Sequence, residues 1–510
     1  MTAGSDTSSS KPLLPRNVRR ALDAIHADIG RARTVTELAA VAGVSSRALQ
    51  RQFLAFVGKT PRATLRDIKF DRARRELLRG MSGAKVMDVA LRCGFSHFGR
   101  FSVEYGRRYG ETPSQTLKRQ AVFVGAVAAM PLPCFVPSRG WPTLAFERIE
   151  AAPEHLEIAA DIADDLTLAL TRAGISVSKQ PRSARYHLIG AIRGTGTQTR
   201  LIFRLIDNET ARQLWAHRSD GVLRETVEDH LATKIAAALQ PCVRLAEIDH
   251  ALRKPGGELR PDDLALRAMP GVLSLDAEGN ALALELLHRA LQQDPRHALA
   301  MALAAWAHIQ GVVYHFADEP EQERARSLDL AQRARALAGD ATVLAVLGNA
   351  LTLLGDLDAA DIVIRKALSL DGGSAWAWSR SGWIDAYRGN AESAVDRFKI
   401  ALDLAPQDSL AFNSLVGIGC AHFVVGNYAE AARWQQRALA EHPSASWVHR
   451  TLCPAYLLAG AESEARRSLG ALRRQYPQLT LSEVHRGMPP LPQPYRNLVV
   501  DALHGVGLPA

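Results

Sequence analysis

Apolar positions in the first 120 residues repeat at helical spacing, in two blocks of one layout. In the first block, Leu38, Ala39 and Ala42 share a side of a short helix, Gly43 interrupts it, and Leu49 and Phe53 recur at i and i+4 on the next. In the second, Ala90, Gly94 and Phe101 repeat the arrangement. Each block predicts helix, tight turn, serine cap and helix. Gly43 suits a turn that asks for positive φ, and the Ser45 hydroxyl can cap the helix that follows. Ala39 must be small where two helices cross. Ahead of the first block, Val18, Leu22, Ile25 and Ile29 mark a helix over 17–29, and Thr34 or Thr36 can cap the next one. Between the blocks, residues 62–79 read as one long basic helix with Leu65, Ile68, Ala73 and Leu77 or Leu78 along one side, a connecting rod whose arginines are mainly solvated, with direct phosphate contact the lesser alternative. Gly110-Glu111-Thr112-Pro113-Ser114 ends the last helix and starts a capped one.

If Leu49 and Phe53 point inward, Ser46, Arg47, Gln50 and Arg51 are left outward. Arginine can bond guanine bidentately and glutamine adenine in the major groove. In the second block His97, Phe98, Arg100 and Ser102 face outward, with Arg107 and Arg108 following. These ten residues are the candidate DNA contacts. The blocks are not equal. Two residues beyond the inward anchor stands Arg51 in the first but Val103 in the second, with Glu104 beside it. Valine offers a base no hydrogen bond and glutamate repels phosphate, so the second block should read less sequence.

The pattern changes after residue 140. Short β-rich runs at 143–146, 175–178, 186–193, 200–206 and 214–217, with helices near 155–173 and 225–240, describe an α/β unit over 141–255. Gly194-Thr195-Gly196 reads as a hairpin turn; it lacks the G-K-[ST] ending of a phosphate loop. From 260 to 485 the chain is helical and repetitive. Gly382, Gly389, Ala394, Ala401 and Pro406 recur 37 residues on as Gly419, Gly426, Ala431, Ala438 and Pro443, and the other steps, of 34 residues, mark tetratricopeptide-like helix pairs. About five units are expected, enough to stack a solenoid with a concave face. That face suits a protein or peptide, or could pair two copies of the chain. Trp306, Trp376, Trp378, Trp383, Trp434 and Trp447 read as core. Residues 1–14 and 486–510 read as tails and 121–140 as a linker.

Charge separates these regions. Residues 1–120 hold 23 basic and 10 acidic side chains, whereas the rest holds 39 and 43. The basic excess lies wholly with the paired blocks, which points to a polyanion partner there. A chain of 510 residues needs several cores. Cys93, Cys134, Cys242, Cys420 and Cys453 lie outside any C-x-x-C and read as reduced thiols of a cytoplasmic protein. The start is polar, without the apolar run of a signal peptide. Residues 121–137 are apolar but interrupted by Pro131, Pro133 and Pro137 and shorter than the roughly 20 residues of a span. No H-E-x-x-H, G-x-S-x-G, P-loop or dinucleotide fingerprint is present. Asp164-Asp165 and Asp262-Asp263 read as helix-start charges. Neither metal, cofactor nor catalytic site is expected, and the chain does not read as an enzyme.

With these motifs in place, residues 17–120 resemble the DNA-binding domain of AraC-type transcription regulators. The resemblance rests on Gly43-Val44-Ser45-Ser46-Arg47-Ala48-Leu49-Gln50-Arg51-Gln52-Phe53, on Val89-Ala90-Leu91-Arg92-Cys93-Gly94-Phe95-Ser96, and on the closing Gly110 to Ser114. It implies two helix-turn-helix units joined by a long helix, entering successive major grooves about 34 Å apart. The middle region is similar to the amino-terminal part of TolB, through Gly190-Ala191-Ile192-Arg193, Leu205-Ile206-Asp207 and Leu214-Trp215-Ala216. The expected architecture is mainly α: an all-α double helix-turn-helix domain over 15–120, a small α/β domain, and an α-solenoid of tetratricopeptide-like repeats. The expected function is a bacterial, sequence-specific regulator that binds double-stranded DNA and receives a signal or a protein partner elsewhere. The alternative is a repeat-based scaffold with a nonspecific DNA anchor.

Overall fold

The computed structural model describes residues 15–27, 34–57, 59–79, 85–95, 97–109, 112–117, 143–180, 184–195, 198–221 and 231–510. The expected terminal tail 1–14, the linker 121–140, Cys134 and the second serine cap, Ser96, lie outside them. The chain divides into two compact units, Met1–Met130 and Pro131–Ala510.

The first unit contains α1 (Arg16–Ala27), α2 (Val35–Ala42), α3 (Ser46–Val57), α4 (Pro61–Arg79), α5 (Val86–Arg92) and α6 (Phe98–Tyr109). Thr34 caps α2. Its hydroxyl accepts from the Glu37 N–H at 3.2 Å, and its own N–H donates to the Glu37 carboxylate at 2.7 Å. Gly43 and Gly94 both take the left-handed conformation, with φ of 72° and 75°, which a side chain would strain. The Ser45 hydroxyl accepts from the Ala48 N–H at 3.3 Å and starts α3. Two small cores result. One gathers Val18, Ile25, Leu38, Ala39, Ala42, Leu49 and Phe53 under Leu65 of α4. The other gathers Val89, Ala90, Cys93, Phe101 and Tyr105 under Phe70, Ala73 and Leu77 of the same helix. The connecting rod is thus part of both cores. Phe70, which the periodicity did not single out, stacks on Phe101 with ring centres 5.7 Å apart.

In the second unit, β1 (Thr143–Ala145), β2 (Ile149–Glu150), β3 (Ser176–Ser178), β4 (Tyr186–Thr195), β5 (Gln198–Asp207) and β6 (Arg212–Gly221) form one sheet. The order is β3-β1-β4-β5-β6, with β2 also on β4. β1 runs parallel to β3 and β4, and β4-β5-β6 is an antiparallel meander. Pairing runs from Tyr186↔Asp207 to Thr195↔Gln198, so Gly194 and Thr195, expected in the hairpin turn, belong to β4, and Gly196 lies outside the described residues. Tyr186, Leu188, Leu201, Phe203 and Leu205 share a core with α7 (Leu156–Arg172) and with the start of α8 (Leu231–Arg253).

α8 corrects the sequence reading, which ended this helix near 240. It runs through Pro241 and on to Arg253. The proline forfeits one helical hydrogen bond, while the residues beyond it are anchored elsewhere. The Arg244 guanidinium lies 4.1 Å from the centre of the Trp376 ring and forms a buried ion pair with Asp408. Asp408 also accepts from the Trp376 indole N–H at 2.9 Å and the Leu410 N–H at 2.8 Å. Gln240 donates to Asp371 at 2.7 Å. One end of α8 therefore belongs to the sheet and the other to the repeats.

The repeats begin with α9 (Pro261–Ser274) and α10 (Ala277–Gln293). Four further pairs follow: α11 (Ala298–Val313) with α12 (Pro320–Leu337), α13 (Ala341–Leu354) with α14 (Leu357–Leu370), α15 (Ala375–Tyr387) with α16 (Ala391–Leu404), and α17 (Ala411–Val424) with α18 (Tyr428–Glu441). A sixth, α19 (His449–Leu458) with α20 (Glu462–Gln475), exceeds the five expected. Small residues sit where partner helices cross: a Cβ on Gly382 would lie 2.9 Å from the Phe398 ring. Trp306, Trp376, Trp378, Trp383 and Trp447 are buried, and Trp434 is half-buried. The segment 486–510 is not the tail its prolines suggested. α21 (Leu481–Gly487) leads into α22 (Gln493–Val506), whose Tyr495, Val499 and Leu503 are buried in the repeat core. Pro494 falls in the first turn of α22, where its missing N–H costs nothing.

The α8 junction can be tested by urea unfolding. Arg244→Ala leaves the Asp408 carboxylate buried without its cation and should cost about 3–5 kcal/mol. Replacing both partners with uncharged residues of similar volume (Arg244→Met with Asp408→Asn) should recover part of that loss.

Candidate nucleic-acid interface

α3 and α6 are each 12 residues long and correspond by their anchors, Leu49 to Phe101 and Phe53 to Tyr105, all four buried. The turn before α6 is one residue longer, which accounts for the unequal spacing from glycine to anchor. On α3, Arg47, Gln50, Arg51 and Leu54 are exposed along one stripe. Ser46 is half-buried at its start. The side chains of Arg47, Gln50 and Arg51 make no hydrogen bond or ion pair with the described residues, so three polar groups project unengaged from a fixed helix. The corresponding positions on α6 are Gly99, Ser102, Val103 and Gly106. Ser102 is half-buried and Val103 exposed. His97, Phe98, Arg100 and Arg107 are exposed, and Arg100 and Arg107 stand where α3 has Ala48 and Ala55.

Arg108 has a different setting. Its Nη1 donates to Asp67 of α4 at 2.6 Å, and its guanidinium lies 5.8 Å from the Phe70 ring centre. Asp67 accepts from Lys59 as well, at 2.5 Å. Burial alone would raise the Asp67 carboxyl, but the bonds from Lys59 and Arg108 outweigh it and hold the group below its ordinary value. Arg108 thereby fastens α6 to α4. Lys69 acts similarly, donating from a buried position to the Gly94 carbonyl at 3.1 Å.

An open groove of about 520 Å³ lies between the two halves of this unit, bordered by Thr34 and Val35, by Arg62, Arg66 and Lys69, and by His97, Arg100 and Glu104. Glu104, which the sequence alone set against phosphate, is 3.7 Å from Arg66 and matched by its charge. From the sequence, Arg62 and Arg66 belong to a run read chiefly as solvated, with direct phosphate contact the lesser alternative. The signal that could have separated them is their spacing with Lys69 at i, i+4 and i+7, one face of a helix.

Among the described residues no group of His, Cys, Asp or Glu could hold a metal ion, and no helix is long and apolar enough to cross a membrane. Cys93, Cys242, Cys420 and Cys453 are unpaired. Asp262 and Asp263 lie in the first turn of α9 as expected, but Asp164 and Asp165 lie exposed in the middle of α7. That helix begins at Leu156, with Glu157 supplying its first-turn charge.

A helix-turn-helix domain family matches residues 38–119. A probable thc operon regulatory protein of Rhodococcus erythropolis is 40% identical over 109 residues, covering 21% of this chain and 33% of its own. A Rhizobium meliloti protein named "Putative adenylate cyclase 3" is 26% identical over 231 residues, 41% of this chain and 39% of its own. This chain therefore spans between a third and two-fifths of the length of those relatives. The crystal structure of a probable AraC family transcriptional regulator from Rhodopseudomonas palustris is 35% identical, covers 20% of this chain and 95% of its own, and gives a TM-score of 0.20. Family match, paired turns and shared rod agree: residues 38–119 are a helix-turn-helix domain of the AraC type.

Proposed function

We propose that this chain is a bacterial transcription regulator that reads duplex DNA mainly through α3 and positions itself through α6 and the groove beside α4. The observation that carries the reading is the exposed Arg47-Gln50-Arg51 stripe on a helix whose opposite face is locked into a core. Such a stripe can make bidentate contacts to base edges. Arg62, Arg66 and Arg100 on the groove suit the phosphate backbone between two major grooves, as do Arg107 at the end of α6 and His97 at its start. Phosphate contacts position a protein and base contacts specify its site. With Gly99, Ser102 and Val103 in the reading positions, α6 serves mainly to fix register.

The second unit is read as the receiving part, taking a signal or a partner in the cytoplasm. Support comes from the relative bearing the cyclase name. Its match covers 41% of this chain, more than residues 15–120 can supply, so the likeness extends into the second unit. We infer an input region used with different outputs.

Fluorescence anisotropy on the full chain tests the DNA reading. Arg47→Ala or Arg51→Ala should each cost about 1–3 kcal/mol on a selected duplex and relax preference at one base position. Val103→Ala should leave base preference unchanged. Arg62→Ala should weaken binding to all duplexes alike and reduce the salt slope, d log K/d log [salt], by about one. Equal affinity for every duplex, unaffected by the α3 changes, would identify a nonspecific anchor instead.

A further inference from the structure

The first helices of successive repeat pairs enclose a cavity of about 40 Å³, closed on its remaining side by Met488, Pro489 and Leu491 from the segment joining α21 to α22 and by Tyr495 of α22. Two arginines line it, Arg380 of α15 and Arg450 of α19, and each is only 4% exposed. Elsewhere in this unit arginines withdrawn from solvent meet carboxylates: the buried Arg244 meets Asp408, and the half-buried Arg397 lies 2.8 Å from Asp385. At the cavity they do not. Among the described residues Arg380 has no hydrogen-bond or ion-pair partner, and its Nε is buried without an acceptor. Arg450 donates from Nη1 to the Val313 carbonyl at 2.8 Å and to His315 Nε2 at 3.0 Å, both neutral.

The other groups facing these arginines supply no negative charge. Burial, reinforced by Arg450 and Arg486, pushes His315 down to about 3, so it is uncharged at neutral pH. Burial pushes the Tyr314 hydroxyl up to about 12 and the Cys420 thiol up to about 11, and it raises Tyr387 and Tyr495 as well. Two indoles on the wall, Trp383 and Trp447, have buried N–H groups without acceptors. Indole donates and cannot accept. The lining therefore offers an excess of donors and two cations. Burying an uncompensated guanidinium costs several kcal/mol, so stability does not explain its presence.

We propose that this cavity receives the carboxylate or phosphate group of a small anionic molecule, held between Arg380 and Arg450 with the indole N–H groups as further donors. The assignment deepens, and in its biological meaning rests on, the reading of the second unit as the receiving part. The size fits one group. A water needs about 10–15 Å³ on this measure, whereas pockets for whole drug-sized ligands run to about 300–1,000 Å³. The remainder of a larger ligand would have to displace the wall from Met488 to Tyr495, which couples occupancy to the packing of α22.

The test is titration of the full chain with inorganic phosphate and, separately, acetate, against chloride at matched ionic strength, read by tryptophan fluorescence. Every tryptophan lies beyond residue 140, so the DNA-binding unit is silent. The expected result is a saturable change with phosphate, acetate or both, the stronger response naming the group. Arg380→Met should weaken it at least tenfold while leaving the thermal midpoint in chloride unchanged or raised. Arg380→Gln, which keeps a donor, should show the same midpoint behaviour. No saturable response in the unaltered chain overturns the proposal, as does a response that survives Arg380→Met. So does loss of folding in both variants, because removing an uncompensated charge should not destabilise. DNA affinity is not part of the readout, so failure here leaves the DNA reading standing, and failure of the α3 variants leaves this one standing.

Discussion

The DNA-binding unit depends on one helix being shared. Neither helix-turn-helix is large enough to close a core by itself. Leu65 at one end of α4 completes the first, and Phe70, Ala73 and Leu77 complete the second. Because one rigid rod is built into both, the angle between α3 and α6 is set by packing and not by a linker. The Asp67–Arg108 bond and the Lys69–Gly94 bond fix α6 and its turn to the same rod. Phosphate and base contacts can then be made from two helices without ordering a flexible joint at binding, which is where preorganisation gains affinity.

The second unit solves the corresponding problem with α8. Its first half is sheet core, and its second half is held by Arg244, Asp408 and Trp376 in the repeats. The contrast with Arg380 is informative. Where Arg244 is buried at the α8 junction the fold supplies Asp408, so Arg380, buried without a carboxylate, marks a place where the missing charge comes from outside. Occupancy there would be felt by α22, because Tyr495 is at once cavity wall and core residue.

Much of this was legible in the sequence. Leu38, Ala42, Leu49 and Phe53 sit where helical periodicity placed them, and Gly43 and Gly94 have the positive φ that a tight turn requires. The repeat spacing identified the solenoid, since a small residue where partner helices cross, such as Gly348 or Gly382, is a steric requirement and recurs with the unit. What was not legible depended on tertiary partners. Pro241 looks like a stop unless the anchors beyond it are known. The prolines near 490 look like a tail unless the core receiving Tyr495, Val499 and Leu503 is known. Whether an arginine is solvated, clamped like Arg108 or buried without a partner like Arg380 cannot be read from its neighbours in the chain. The difference in side chains between the two outward stripes was visible as Arg51 against Val103, and the matched helix ends extend it to Arg47 against Gly99.

Methylation-interference footprinting of the full chain on its selected site measures that inequality directly. Two protected major-groove patches one helical turn apart are expected, with base-dependent interference confined to the patch under α3. Base-dependent interference of equal strength in both patches, or protection that is indifferent to base identity throughout, would contradict it.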